Sequence, residues 1–203
     1  MKITVLQVPP IGTNCYLLKD DETGLGAIID PGGDAASIRA AVDELALKPA
    51  AILLTHGHYD HTGAVLELKE TWPELPVYLH AQDALLMRDR FSQVPDIGAT
   101  VPYGEGDTIA IGNLTVRVFH TPGHTKGSVV LAVGDVLFTG DTLLQGSCGR
   151  TDLPSGNYEE MMASLRRLAE LEGDYQVLPG HEGRSTLSME RRSNFYLLQA
   201  MGQ

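Results

Sequence analysis

The chain has 203 residues, of which 26 are acidic and 15 basic, and its formal net charge at pH 7 is −11. Hydrophobic residues make up 43% of the chain, which excludes disorder and allows a substantial core, since a chain of this length buries about 70% of its unfolded surface. The negative charge argues against a nucleic-acid partner, and no apolar stretch approaches the ~18 residues that a transmembrane helix needs.

The predicted elements begin with an N-terminal strand, because residues 1–12 alternate and then meet proline too early for a secretory signal. Ten apolar runs, which alternate or are short and bounded by turn residues, are typical of strands. They lie at 3–6, 15–18, 26–30, 51–54, 77–79, 108–111, 114–119, 128–133, 135–139 and 175–178. Five segments have apolar residues at helical spacing: 34–45, 64–72, 81–93, 157–168 and 185–201. The stretch 95–106 is expected to be a loop.

This order of elements predicts an α+β fold with two mixed β-sheets packed face to face and helices on both outer faces. No compositional break or linker divides the chain, so residues 1–203 are expected to form a single domain. Two cysteines, Cys15 and Cys148, do not make a disulfide framework. We therefore expect a cytoplasmic globular protein, with no membrane partner, whose short polar loops gather along one edge of the sheets.

The most informative motif is His56-x-His58-x-Asp60-His61, which follows an apolar strand directly. Two histidines at i and i+2 in an extended turn can ligate one metal ion, and Asp60 and His61 then offer an oxygen and a nitrogen to a second. Imidazole and carboxylate together suit zinc, iron or manganese. Three histidines and an aspartate within six positions are hard to explain as a structural arrangement.

Three further candidate ligands each end a predicted strand at a glycine-containing turn. They are His124 in 121–125, Asp141 in 140–142 and His181 after Gly180. Backbone freedom at such turns lets a side chain point inward. The shared context extends the metal site beyond the histidine motif.

These residues together resemble the pattern of the metallo-β-lactamase-fold hydrolases, and within them the glyoxalase II group, the hydroxyacylglutathione hydrolases. The similarity runs over nearly the whole chain, from Asn14-Cys15-Tyr16 and residues 29–33 to residues 178–181. It implies a four-layer αβ/βα sandwich with the metals at one edge. The histidine motif is specific to the superfamily, and nothing in it is specific to one substrate.

The resemblance implies a role for each candidate ligand. It assigns His56, His58 and His124 to a first metal ion, Asp60, His61 and His181 to a second, and Asp141 to a bridge between them. Two divalent ions, zinc or else iron or manganese, would lower the pKa of a bridging water and polarise a substrate carbonyl. Asp60 is expected to have a second, catalytic role in orienting that hydroxide by a hydrogen bond.

Other residues surround this set. Asp30 matches a carboxylate that supports the ligand loop in the family, or is only a turn residue before Pro31. Arg150 either binds a substrate carboxylate or braces its loop through an ion pair with Asp152. In many β-lactamases of the family a cysteine ligand stands at the position that corresponds to Asp141. Because Asp141 is present here, the resemblance argues against β-lactam hydrolysis, and Cys148 is not expected to be a ligand. His80 and His120 are expected to be structural, Cys15 to be buried and Tyr59 to wall the pocket.

The functions that fit are few. The first is a hydrolase that uses two metals to cleave a small, anionic thioester or ester, with a lactone less favoured. The alternative is an oxidoreductase, because the family includes persulfide dioxygenases with one iron and a loop similar to 148–152. Two departures from glyoxalase II bear on glutathione binding: one helix follows His181 in place of the C-terminal extension, and Asp152 stands where an aromatic residue is usual. A complete ligand set argues against a third alternative, a non-catalytic metal-binding or scaffold protein.

Overall fold

The computed structural model describes residues 1–87 and 92–203, in which twelve strands form two six-stranded sheets. The first sheet contains β1 (Lys2–Val8), β2 (Thr13–Lys19), β3 (Leu25–Ile29), β4 (Lys48–Leu53), β5 (Val77–His80) and β6 (Val101–Tyr103). The second contains β7 (Thr108–Ile111), β8 (Leu114–His120), β9 (Val129–Val133), β10 (Val136–Gly140), β11 (Gln176–Pro179) and β12 (Ser185–Thr186). The helices are α1 (Ala35–Glu44), α2 (Tyr59–Thr62), α3 (Val65–Thr71), α4 (Ala81–Leu86), α5 (Tyr158–Ala169), α6 (Leu187–Ser193) and α7 (Phe195–Ala200).

Each sheet is built from one continuous half of the chain. In the first sheet the strands lie in chain order; β1, β2 and β3 pair antiparallel, and β3 to β6 pair parallel. Parallel neighbours need crossover connections, and the segments that contain α1, α3 and α4 provide them. In the second sheet β7 to β10 form an antiparallel meander, and α5 crosses over so that β11 lies parallel to β10.

The core lies in three layers that follow from this arrangement. Between the sheets a buried apolar cluster joins both halves, and Tyr16 of β2 meets Phe138 of β10 edge to face, with ring centroids 5.3 Å apart. A second cluster lies under α1 and α3, and a third under α5 and α7. The predicted four-layer α+β sandwich is therefore confirmed. Among the described residues no helix is both long and apolar enough to cross a membrane.

Two local predictions need correction. The stretch 95–106 contains the short strand β6, which the pattern missed because Pro102 cannot donate to a ladder and two of its three residues are exposed at the sheet edge. The predicted helix 81–93 is observed as α4, which ends at Leu86. Residues 88–91 of that prediction lie outside the described residues.

The predicted helix 185–201 is also wrong as one element, because it is divided into β12, α6 and α7. The break between the two helices is at Asn194, whose Oδ1 accepts hydrogen bonds from the backbone amides of Tyr196 and Leu197. Asparagine competes with helix hydrogen bonds through its side chain and so favours helix starts. Its Nδ2 donates to the carbonyls of Leu144 and Ser147, at 3.3 and 2.9 Å. The break therefore fixes a loop of the second sheet.

Candidate metal centre

The candidate ligands all follow the carboxyl ends of strands, where the two sheets meet at one edge of the sandwich. The first sheet contributes the turn after β4, and the second contributes the turns after β8, β10 and β11. The residues that these turns carry are His56, His58, Asp60, His61, His124, Asp141 and His181. The structure brings all seven predicted ligands together, in groups whose ligand atoms lie within 4.8 Å of one another.

The first group consists of His56, His58 and His124, all of them buried. Nδ1 of His58 faces Nε2 of His124 at 2.9 Å, and Nδ1 of His124 donates to the Arg150 carbonyl at 2.7 Å. Nε2 of His56 is buried without a hydrogen-bond partner among the described residues. A ring nitrogen that is buried without a hydrogen-bond partner is unfavourable unless a cation lies against it. This group therefore fits a metal ion with three nitrogen ligands.

The second group consists of Asp60, His61 and His181. Nε2 of His61 lies 3.3 Å from Nε2 of His181 and 3.3 Å from Oδ2 of Asp60. Because Nδ1 of His61 lies 3.0 Å from Oδ2 of Asp30 and donates to it, its Nε2 is left as the ligand atom. The group offers two nitrogens and one oxygen to a cation.

Asp141 lies between the two groups. Its Oδ1 is 3.5 Å from Nε2 of His61, and its Oδ2 is 3.5 Å from Nε2 of both His124 and His181. Oδ1 is also buried without a hydrogen-bond partner in the described part of the chain. A carboxylate that reaches both groups has the position that a bridging ligand requires.

The electrostatics favour cations in this cluster. Burial, together with the neighbouring histidines, lowers the pKa of His56 well below its usual value and that of His58 to about 4. Burial raises the pKa of Asp60, but its contacts with His181 and His61 outweigh this, so the net pKa is lowered. At neutral pH His56 and His58 are therefore uncharged and Asp60 is ionised, the forms that bind metal.

Burial would lower the pKa of His61, but Asp141 and Asp30 outweigh it, so the pKa is raised. Burial is likewise outweighed at His181, where contacts with Asp60 and Asp141 raise the pKa. These two rings therefore release a proton when they bind a metal ion. The histidine and aspartate cluster suits a dinuclear metal site.

Asp30 supports the ligand turn through hydrogen bonds to Thr55 and His61, as the resemblance implies. Its Oδ1 accepts from the Thr55 amide at 2.7 Å, and its Oδ2 accepts from the Thr55 hydroxyl at 2.6 Å and lies beside His61. Its φ of 51° is uncommon for a residue other than glycine, and such backbone strain is found at functional sites. Asp30 thus sets both the position of the turn and the tautomer of His61.

The turn that carries His181 is held by residues whose role the sequence reasoning missed. Asn14 Nδ2 donates to the carbonyls of Pro179 and Glu182, both at 3.0 Å, and the Tyr16 hydroxyl donates to the Pro179 carbonyl at 2.7 Å. A Cβ at Gly180 would lie 2.6 Å from Cε1 of His61, so only glycine fits there. The polar pair Asn14 and Tyr16 beside a buried cysteine was the available signal, but the partners lie more than 160 residues away.

A pocket of about 330 Å³ opens over the cluster. It is lined by the ligands His58, Asp60, His124, Asp141 and His181, and by Ile11, Tyr59, Gln93, Leu144, Cys148, Gly149, Arg150 and Leu153. Arg150 is exposed and pairs with Asp152 through two hydrogen bonds of 2.7 Å, so the predicted ion pair is present. Burial raises the pKa of Cys148 to about 11, which keeps its thiol protonated.

The remaining two histidines are apart from the cluster. The rings of His80 and His120 stack with centroids 4.3 Å apart and planes at 7°. His80 Nδ1 accepts from the Gln82 amide at the start of α4, and His120 Nε2 donates to the Lys126 carbonyl. They have the structural contacts expected of them, as does Cys15, which is fully buried.

The sequence and fold of this chain are similar to those of known proteins. Residues 8–181 match the family model of the metallo-beta-lactamase superfamily. A relative from Haemophilus influenzae, hydroxyacylglutathione hydrolase GloC, is 36% identical, and the match covers 97% of this chain and 98% of the relative.

Solved structures agree with this relationship. BLEG-1, a B3 metallo-beta-lactamase, has a TM-score of 0.86 and 34% identity over 97% of this chain and 99% of its own. TTHA1623 in a di-iron-bound form has a TM-score of 0.82 and 36% identity, over 95% of this chain and 99% of its own. ETHE1 from Myxococcus xanthus has a TM-score of 0.80 and 30% identity, over 96% of this chain and 84% of its own. The chain belongs to the metallo-β-lactamase superfamily.

Proposed function

We propose that the protein is a metal-dependent hydrolase that cleaves a small thioester or ester, of the hydroxyacylglutathione hydrolase type. The observation that carries the proposal is the convergence of two three-ligand groups on one carboxylate, Asp141, beneath an open pocket. The resemblance to GloC supports the thioester as the bond that is cleaved. Among the described residues that line the pocket, Cys148 is the one thiol, and its raised pKa makes it a poor nucleophile.

The residues would divide the work as follows. His56, His58 and His124 would hold one ion, Asp60, His61 and His181 would hold the other, and the Asp141 carboxylate reaches both groups. When bound, two divalent cations would lower the pKa of a water molecule and polarise the substrate carbonyl. We propose zinc for both ions, with iron as the alternative because one similar structure is a di-iron form.

Asp60 is proposed to act as a catalytic residue as well as a ligand. Its carboxylate stays ionised, since its contacts with His181 and His61 lower its pKa, and it is fixed by the Thr13 hydroxyl, which donates to Oδ2 at 3.1 Å. An ionised carboxylate in a fixed position accepts a hydrogen bond from a water molecule. This hydrogen bond would orient the water so that a lone pair of the water oxygen points toward the substrate carbonyl carbon.

The pocket walls favour a compact substrate with an anionic end. Ile11, Leu144 and Leu153 supply apolar surface, and Arg150 supplies a planar cation at the rim. A volume of about 330 Å³ is at the small end of ligand pockets. We propose that the substrate places a carboxylate near Arg150 and its acyl group against the apolar wall.

Arg150→Ala should raise KM for an anionic thioester while kcat changes little, as expected for a contact made equally in the bound substrate and in the transition state. Because Asp152 occupies the guanidinium of Arg150, Asp152→Asn should have the opposite effect and lower KM. Steady-state kinetics with S-lactoylglutathione measure both constants. An unchanged KM in both variants would leave Arg150 as a loop brace.

The second candidate function is a persulfide dioxygenase. The similarity to ETHE1 favours it, together with the loop Cys148-Gly149-Arg150-Thr151-Asp152. In that reading the three-histidine side of the cluster, with Asp141, would serve a single iron. The two functions differ in metal number and in whether oxygen is consumed.

One experiment separates these functions. Metal analysis of the purified protein is combined with assays on S-lactoylglutathione, a simple thioester, a β-lactam and glutathione persulfide. The β-lactam is included because a B3 metallo-beta-lactamase structure is similar to this chain at 34% identity. Two metals per chain and thioester turnover support the proposal. One iron with oxygen uptake on glutathione persulfide, or turnover of the β-lactam in preference to the thioesters, would overturn it.

A further inference from the structure

Asp83 is a fully buried carboxylate that the proposed chemistry does not use. It lies in α4, and its side chain accepts three hydrogen bonds. Oδ1 accepts from the Gly127 amide at 2.7 Å, and Oδ2 accepts from the Gly57 amide and from the Thr125 hydroxyl, both at 2.8 Å. Burying a carboxylate costs free energy unless hydrogen-bond donors surround it, and these three donors offset that cost.

The donors belong to two different ligand loops. Gly57 lies between the ligands His56 and His58 on the loop of the first sheet. Thr125 follows His124 directly, and the loop that holds both belongs to the second sheet. Asp83 therefore joins, through a single carboxylate, the two loops that carry the three-histidine group.

Both glycines allow the loops to approach Asp83 closely. A Cβ at Gly127 would lie 2.6 Å from Cγ of Asp83. A Cβ at Gly57 would lie 3.3 Å from Cβ of Asp83 and 2.8 Å from a methyl group of Val94. The loops could not close on the carboxylate with larger residues at these two positions.

The other ligand group has direct supports that do not involve Asp83. Asp30 accepts from His61, and Thr13 donates to Asp60. We propose that Asp83 is a positioning residue that sets the metal affinity of the group His56, His58 and His124, and that it acts on this group more than on Asp60, His61 and His181. This proposal rests on the proposed ligand roles, but not on which bond is hydrolysed.

Asp83→Asn tests the proposal, because the amide replaces one acceptor oxygen by a donor that faces a backbone N–H. Zinc-loaded, ¹⁵N-histidine-labelled protein is titrated with a chelator, and the ring nitrogen signals show which histidines release zinc. We expect the affinity at His56, His58 and His124 to fall about 10- to 100-fold, the range for residues that orient ligands, with a much smaller change at His61 and His181.

Companion variants keep the test decisive if Asp83→Asn folds poorly. Gly127→Ala displaces the carboxylate without changing any charge and should weaken the same group. Thr125→Ala removes one of the three hydrogen bonds to Asp83, together with the contact between the Thr125 and Ser128 hydroxyls, and should give a smaller loss of affinity, which Thr125→Ser restores. Asp43→Asn, on an exposed residue of α1, is the matched control and should change neither group.

Three outcomes are informative. Selective weakening of the three-histidine group supports the proposal. Equal weakening of both groups, or a lower melting temperature with zinc affinities unchanged, would show a purely structural role and overturn it. If the wild-type protein bound no zinc, the ligand assignment itself would fail, which is a different result from either of these.

Discussion

His56→Ala should reduce turnover to below about one hundredth of the wild-type value, since loss of a residue that only orients a ligand already costs 10- to 100-fold. The alanine removes a nitrogen whose lone pair is buried without another partner among the described residues. It also opens space beside the rings of His58 and His124, which contact the His56 ring at centroid distances of 4.8 and 4.7 Å. Metal analysis should find less bound metal per chain.

Asp141→Ala should have at least as large an effect on turnover, because this carboxylate lies within 3.5 Å of His61, His124 and His181. Its loss would remove a ligand from both groups and leave the charge of the bound cations less compensated. Asp135→Asn, in the exposed turn before β10, changes the same functional group away from the centre and is the control. Wild-type turnover and metal content in either ligand variant would refute the site assignment.

Removing metal should lower the stability of the fold as well as abolish activity. A ligand present at 1,000 times its dissociation constant stabilises the folded state by about 4 kcal/mol. For a chain of this size each kcal/mol shifts the melting temperature by about 2–4 °C, so one filled site accounts for a difference of about 8–16 °C. Thermal unfolding in excess zinc and in excess chelator measures this difference directly.

The same experiment on His56→Ala provides its control. Because that variant keeps Asp60, His61 and His181, it should retain part of the difference between zinc and chelator. If the wild-type protein melted at the same temperature in both conditions, the seven residues would not form a metal site of useful affinity. Zinc is added back to the chelator-treated protein as a further control. If the melting temperature does not recover, the chelator has aggregated the protein irreversibly and the difference does not measure metal binding.

The sequence predicted those features best that depend on residues close together along the chain. Apolar alternation predicted the two sheets, and the motif at 56–61 predicted the ligand turn, since both depend on neighbouring residues. The same local reasoning missed β6, because Pro102 and an exposed edge position remove the strand pattern. It also missed the helix break at Asn194, whose side chain binds carbonyls about 50 residues away.

Asp83 shows why the supports of the site could not be predicted. Its three donors lie 26, 42 and 44 residues away along the chain, on loops of different sheets. Nothing in residues 81–86 distinguishes this aspartate from one on the surface of a helix. Arg150 differs, because its partner Asp152 is two residues away, and the sequence left open both roles that the structure keeps possible.

The division of the chain into two sheet-forming halves has a consequence for folding. Residues 2–103 supply four of the seven ligands and residues 108–186 supply the other three, and neither half contains the full set for the first group. Under the proposed ligand assignment, metal binding by this group is therefore coupled to the docking of the two halves. A chain whose halves have not docked lacks the complete set of ligands, and bound metal would in turn stabilise the docked arrangement of the two halves.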